Sequence, residues 1–148
     1  MVNTGTRLIR SGIIFPLNEG TEVEQLEQLV KKDSTIRQEY IDVLKLKPRD
    51  TKIVHYVHNV FADESLIGYN YNGVNVVGQT KRAMRMYDIF SDCFMEAYEA
   101  EGLTDVELAF QLTSAIKQSR NRMRQRMFRA RKIVKASCEK RKRTPFET

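Results

Sequence analysis

A chain of 148 residues with 41 % hydrophobic and 30 % charged residues is long enough for one domain with a substantial core, and its composition is typical of helical proteins. No apolar run approaches the length of a membrane span and no secretory segment is recognisable, so we expect an intracellular protein without a membrane partner. The formal net charge of +6 is unevenly distributed. Residues 117–143 hold 13 Lys and Arg against one acid, whereas the remainder has 12 basic and 18 acidic residues.

The chain begins with a segment that is predicted to be extended. Pro16 fixes its own backbone and disfavours helix at the preceding residue, so residues 1–20 are expected to form an extended N-terminal arm. The run Thr21–Glu24 then has the pattern of a capping box, in which a hydroxyl and a carboxylate three residues apart satisfy the first free amides of a helix. The first helix is therefore predicted to open there.

Two further helices are predicted before residue 62. Asp33 or Ser34 can cap the second helix, and Pro48 ends it. Asp50 or Thr51 can cap the third, whose apolar residues recur at helical spacing. These three helices are expected to supply much of the core.

The middle of the chain combines a turn signal with a long apolar pattern. Asn72-Gly73 lies between two strand-like runs and predicts a small β-hairpin near 67–77, because both residues tolerate positive φ. Thr80 is expected to cap a helix that reaches about Ala100 and is closed by Gly102. Apolar residues occupy more than one face of that segment, so we expect it to be the central buried helix.

The last helix is predicted to be unusually long. Thr104–Glu107 resembles a capping box, and apolar or small residues follow at three- and four-residue steps as far as Cys138. No Pro or Gly interrupts the pattern before Pro145, so the helix is expected to run from about Val106 to Arg143. We expect its first part to pack on the body and the remainder to project, or to fray when nothing is bound.

Together these elements predict a mainly α fold. The expected architecture is a compact bundle of four or five helices with the small hairpin and a long basic C-terminal helix. The predicted organisation is an extended arm at residues 1–20, a helical domain at residues 21–116, and a basic helix and tail at residues 117–148.

Several motifs in this order resemble a family of unknown function found in animal proteins, often near their C-terminal ends and sometimes in transposon-derived ones. The resemblance is carried by Phe15-Pro16-Leu17, by Val60–Leu66 and by Tyr69–Gly73, and it covers roughly Phe15 to Arg126. Tyr71 stands where that family usually has Trp. The middle stretch is also loosely similar to BEN domains of chromatin and viral proteins, and this similarity implies DNA binding in a chromatin or transcription-regulating context.

No pattern in the chain predicts an enzyme. His55 and His58 have a spacing that two metal ligands could use, but Asp63 and Glu64 read as ordinary surface acids and structural zinc normally needs four N or S ligands. Cys93 lies among apolar residues and is expected to be a buried thiol rather than a nucleophile. We therefore predict no catalytic residue, no metal site and no cofactor.

The basic segment predicts polyanion binding, because a solvated helix usually alternates its charges and this one has almost no acids. The leading hypothesis is a nucleic-acid-binding module that prefers double-stranded DNA to RNA. The candidate ligands on the helix are Lys117, Arg120, Arg122, Arg124, Arg126, Arg129, Arg131 and Lys132. A second candidate patch, where positive charge opposes the dipole of the predicted helix, consists of Lys81, Arg82 and Arg85.

Two further expectations concern partners and location. The alternative function is a protein-interaction module, in which Met123 and Met127 contact a helical partner or a second copy of the chain while the arginines pair with acids. Lys140, Arg141, Lys142 and Arg143 form a candidate nuclear-import signal, so a nuclear location is predicted.

Overall fold

A computed structural model describes residues 8–10, 12–73 and 80–143 of the chain, with side chains described for 12–73 and 80–138. It confirms a mainly α fold, with five α-helices, two pairs of short strands and several single turns of 3₁₀ helix among the described residues. The bundle is built from the first four helices and the first part of the fifth.

The N-terminal arm forms a hairpin and then enters the core. Strands β1 (Leu8–Arg10) and β2 (Ile13–Phe15) pair antiparallel, and the turn between them uses Gly12 at a φ of 81°. Leu17 follows at 1 % exposure, and its amide donates to the carbonyl of Val60 at 2.9 Å. The extended conformation predicted around Pro16 is therefore present, and it ties the arm to the end of the third helix.

Helices α1 (Gly20–Lys32) and α2 (Ser34–Leu44) are joined by one residue, Asp33. The predicted capping box at the start of α1 is displaced: Glu19 is the N-cap and exchanges hydrogen bonds with Glu22. At the start of α2 the prediction is confirmed, because the Asp33 carboxylate accepts hydrogen bonds from the second and third amides of the helix.

Helix α3 (Ile53–Val60) starts without the side-chain cap that the sequence suggested. Its N-cap is Lys52, which has no capping side chain, so the prediction of Asp50 or Thr51 is wrong. The amide of Val54 donates instead to Oε1 of Gln111, 57 residues away in the chain, at 2.9 Å. A distant side chain therefore satisfies a free helical amide.

The central region contains a strand pair of unexpected direction. After a 3₁₀ turn at Asp63–Leu66, strand β3 (Tyr69–Asn70) pairs in parallel with β4 (Arg82–Ala83). Gly73 has a φ of 75°, as the turn signal required. The second arm of the predicted hairpin falls on residues 74–77, which lie outside the described part of the chain.

The prediction of a single long helix from Thr80 to Ala100 is wrong. After β4 the chain forms two 3₁₀ turns, then α4 (Asp92–Ala97), then another 3₁₀ turn that closes at Gly102 with a φ of 77°. The buried carboxylate of Glu27 explains part of this difference, because it accepts hydrogen bonds from the backbone amides of Asp88 and Ile89 at 3.0 and 3.1 Å. Those amides therefore do not donate to the carbonyls of a continuous helix.

Helix α5 (Asp105–Arg143) is 39 residues long and confirms the predicted C-terminal helix. The hydroxyl of Thr104 accepts the amide of Glu107 at 3.2 Å at its start. Its first half packs against α3, α4 and the 3₁₀ turn at Asp63–Leu66. The largest fully buried side chains of the core are aromatic, namely Tyr40, Phe61, Tyr69, Phe90, Phe94 and Tyr98.

Candidate nucleic-acid interface

Helix α5 divides into a packed half and an exposed half. Leu112, Ile116 and Ser119 are buried, and Met123 is half-buried. From Arg124 to Cys138 every side chain is exposed, although the backbone remains helical. The segment from Arg124 to the end of the helix is about 30 Å long at ~1.5 Å per residue. The predicted division into a packed part and a projecting part is therefore confirmed.

Two of the predicted nucleic-acid ligands are already paired within the protein. The carboxylate of Asp63 accepts hydrogen bonds from Nε and Nη2 of Arg122 at 3.0 and 2.8 Å. It also accepts one from Nη1 of Arg126 at 3.1 Å. Nη2 of Arg126 also reaches Glu64 at 3.1 Å. This ion cluster fastens the helix to the 3₁₀ turn that follows α3.

Asp63 is not the ordinary surface acid that its sequence context suggested, since its side chain is only 7 % exposed. Burial raises the pKa of this carboxyl group, but hydrogen bonds from Arg122, Ser119 and Arg126 more than compensate, so the pKa is lower than usual. The same bond raises the pKa of Arg122. The carboxylate is therefore held in its charged form, and at least part of the charge of both arginines is neutralised.

A different face of α5 carries an uncompensated basic row. Its members follow steps of three, four or seven residues, which places them on one side of a helix with 3.6 residues per turn. They are Lys117, Arg120, Arg124, Arg131 and Lys135. Among the residues that the structure describes, no acid forms an ion pair with any of the five.

Lys81 extends this row onto the body of the protein. Its Nζ donates to the carbonyl of Ile67 at 2.6 Å, and its amine lies near Arg120. Burial, followed by the charge of Arg120, lowers the pKa of Lys81. Lys81, Arg120 and Arg124 together border one groove. The structure thus brings one member of the second predicted patch to the helix.

Arg82 and Arg85 have other surroundings. Arg82 pairs with Glu24 of α1 at 2.9 Å. The hydroxyls of Tyr69 and Tyr87 donate hydrogen bonds to the same carboxylate oxygen of Glu24. Glu24 therefore connects the β3–β4 pair to α1. Arg85 is exposed, and its guanidinium reaches the sulfur of Met86 at 3.7 Å. Neither arginine contributes to the basic row.

The remaining predicted ligands are exposed on the projecting helix. Arg129 and Lys132 lie off the basic row, and both are exposed. The backbone of the four consecutive cations Lys140–Arg143 continues α5, while their side chains lie outside the described part of the structure. The predicted domain boundary at residue 117 falls within this unbroken helix.

Other chemistry has less support in the geometry. In the part of the chain that the structure describes, no group of three or more His, Cys, Asp and Glu could hold a metal ion. Cys93 is fully buried, and burial raises the pKa of its thiol to about 12, which makes it a packed side chain rather than a nucleophile. No helix within the described ranges is long and apolar enough to span a membrane.

The pairing of Arg122 and Arg126 with Asp63 was not predicted from the sequence. The consecutive acids Asp63 and Glu64 precede the arginines by about sixty residues, and no local pattern connects them. The spacing of Arg122 and Arg126 by four residues places both on one helical face, which is the only sequence signal of a shared partner.

Comparison with known proteins gives a family but no activity. No curated protein and no solved structure matches the chain. A family described as Domain of unknown function (DUF4806) matches residues 10–97, which include Lys81 but end before α5. This match confirms the resemblance to an uncharacterised family, whereas the likeness to BEN domains stays a prediction. The chain belongs to the DUF4806 family of domains of unknown function.

Proposed function

We propose that this protein is a nucleic-acid-binding module without catalytic activity, and that its ligand is double-stranded DNA. The observation that supports the proposal is the uncompensated basic row of α5, which Lys81 continues on the body. Along the helix the row extends from Lys117 to Lys135, a distance of about 27 Å.

The contrast between two faces of one helix strengthens this interpretation. Arg122 and Arg126 face acids supplied by the fold, while the basic row faces none within the described residues. Cations held side by side on a rigid helix repel one another. A polyanion relieves that repulsion and gains the entropy of its released counterions.

The shape of the arm favours a duplex, and DNA over RNA. A projecting α-helix fits the major groove of B-form DNA, whose width is about 12 Å. The major groove of A-form RNA is too narrow for side chains to read, and single strands are usually bound by stacking on aromatic rings. An exposed aromatic residue, Phe128, lies on the same face between Arg124 and Arg131, so binding of single strands is measured as well.

The proposal is tested by neutralising the row and measuring affinity for a labelled duplex by fluorescence anisotropy at several salt concentrations. The variant replaces Arg120, Arg124 and Arg131 by Gln, which is compatible with helix. Each phosphate contact adds about 0.9 to the log–log salt slope, which corresponds to about fivefold in affinity at physiological salt. Loss of three contacts should weaken binding roughly 100-fold and reduce the slope by about 3.

A control variant should remove the same charge elsewhere. Lys32, at the end of α1, and Lys45 and Arg49, which follow α2, are exposed cations outside the basic row, and their replacement by Gln also lowers the net charge by three. This variant should bind the duplex within about twofold of the wild type, with a nearly unchanged slope. Equal losses in both variants would show that only net charge matters. Tighter binding of single-stranded DNA or RNA than of duplex would refute the choice of ligand.

We also propose that the protein is nuclear, with Lys140–Arg143 as the import signal. At 17.3 kDa the chain can enter a nucleus by diffusion, so location alone is not a test. Residues 137–148 should carry a cytosolic reporter too large for nuclear pores into the nucleus. The matched control replaces the four cations by Gln. A reporter that stays in the cytosol with the native segment would assign these cations to the polyanion-binding arm instead.

A further inference from the structure

A groove with an apolar floor lies beside the basic row. It has a volume of about 290 Å³ and lies between the 3₁₀ turn at Asp63–Leu66 and the middle of α5. Its apolar lining comes from the end of that turn, from the residue after it and from successive turns of the helix, namely Leu66, Ile67, Ile116, Met123 and Met127. Ile67 and Met127 are 52 % and 55 % exposed, so this floor is incompletely covered by the protein itself.

The rim of the groove has one sign of charge. Lys81, Arg120 and Arg124 border it, and the one acid in its lining, Asp63, is already bonded to Arg122 and Arg126. An occupant therefore meets an apolar floor and an uncompensated cationic edge. An occupant that matches both features has bulky apolar groups flanked by negative charges.

The apolar stripe does not end with the groove. Beyond Met127 the same side of α5 carries Ala130 and Val134, and Val134 is 61 % exposed. Exposed apolar side chains in a continuous stripe of this kind are typical of surfaces that another protein covers. A second helix lying along α5 could cover the stripe and the groove together.

We propose that the groove and stripe bind an amphipathic helix with acidic flanks from a partner protein. Its apolar residues would fill the groove, and its carboxylates would pair with Lys81, Arg120 and Arg124. Charge complementarity selects this occupant. The α5 of a second copy would bring a further row of cations against the first, and a phosphate backbone has no apolar groups for the floor.

This inference does not rest on the proposed DNA binding, although the two surfaces share Arg120 and Arg124. Both ligands would need the same guanidinium groups, so an acidic helix and a duplex should compete for the full chain. Competition of this kind is a route by which a partner could regulate binding of DNA.

The test uses a labelled synthetic peptide of three heptads, with Leu at the a and d positions and mainly Glu elsewhere. A matched peptide with Ala in place of Leu keeps the charge and the helical propensity. The Leu peptide should bind the full chain at physiological salt, and the Ala peptide should bind at least about tenfold more weakly, a difference of ~1.4 kcal/mol. Equal binding of both peptides would show that charge alone drives the interaction, and it would overturn the proposal. Failure of the Leu peptide to bind would also overturn it.

Variants of the floor separate this proposal from DNA binding. Ile67→Ser with Met127→Ser removes two apolar side chains that are more than half exposed, so the fold should survive, which circular dichroism verifies. The variant should lose at least about tenfold in affinity for the Leu peptide and none for duplex DNA. Val106→Ser with Phe110→Ser, two exposed residues at the start of α5, is the matched control and should retain peptide binding. Loss in the control equal to that in the floor variant would place the peptide elsewhere.

Discussion

Replacement of Asp63 by Asn tests how α5 is fastened to the body. The carboxylate is almost fully buried and accepts three hydrogen bonds from two arginines. Asn keeps the size of the side chain but removes the charge and one of the two acceptor oxygens. Arg122 and Arg126 then face each other without a buried counter-ion.

The expected loss lies between the values for surface and buried ion pairs. Breaking a fully buried pair costs about 3–5 kcal/mol, because a buried charge is left unpaired. Here the side chains of Arg122 and Arg126 are 37 % and 50 % exposed, so water can solvate them in the variant. We therefore expect a loss of about 2–3 kcal/mol, which lowers the melting temperature by roughly 5–10 °C for a domain of this size.

The difference should depend on pH in a defined direction. The folded-state pKa of Asp63 is below its unfolded value, so the pair contributes its full stability above that unfolded value, near pH 4. This contribution is lost as the pH falls through the folded-state pKa. The gap between wild type and D63N should thus be complete at pH 7 and narrow below about pH 4.

Urea unfolding followed by circular dichroism measures the loss, with equal m values for the two proteins as a check. Glu64→Gln is the matched control, because Glu64 is the adjacent acid and its side chain is 55 % exposed. Its loss should stay below about 1 kcal/mol. Equal small losses in D63N and E64Q would refute the conclusion that a buried carboxylate holds the helix.

Three further predictions concern the core, the thiols and one turn. Phe94→Ala should lower the free energy of unfolding by ~3–5 kcal/mol, since the ring is fully buried, and a loss near 1 kcal/mol in urea unfolding would make that helix peripheral. Cys138 is exposed whereas the pKa of the buried Cys93 thiol is about 12, so a chromogenic disulfide reagent at pH 8 should titrate one thiol in the native protein and two in urea. Gly102→Ala should lose about 1–2 kcal/mol because the φ of 77° disfavours a side chain, while Gly68→Ala, whose backbone has no such φ, should lose less than half of that in the same unfolding assay.

Sequence patterns predicted the fold correctly where the hydrogen bonds of an element are made by residues close to it in the chain. Asp33 capped α2 as expected because the cap and its amides are neighbours in the chain. The segment from Thr80 to Ala100 had an apolar pattern compatible with helix, yet it bends through 3₁₀ turns. The amides of Asp88 and Ile89 bind the distant carboxylate of Glu27, and a pattern of apolar residues carries no information about that bond.

The same division applies to the candidate site. A long helix with separated apolar and basic residues was predictable from the sequence, because helical periodicity and charge are properties of neighbouring residues. Which of its cations stay uncompensated depends on the packing of distant segments. Asp63 pairs with both Arg122 and Arg126 across about sixty residues of chain, whereas Lys81 lies beside Arg120 and no ion pair joins either cation to an acid among the described residues. Pairing over such separations depends on how the helices pack, and that packing is a property of the whole core.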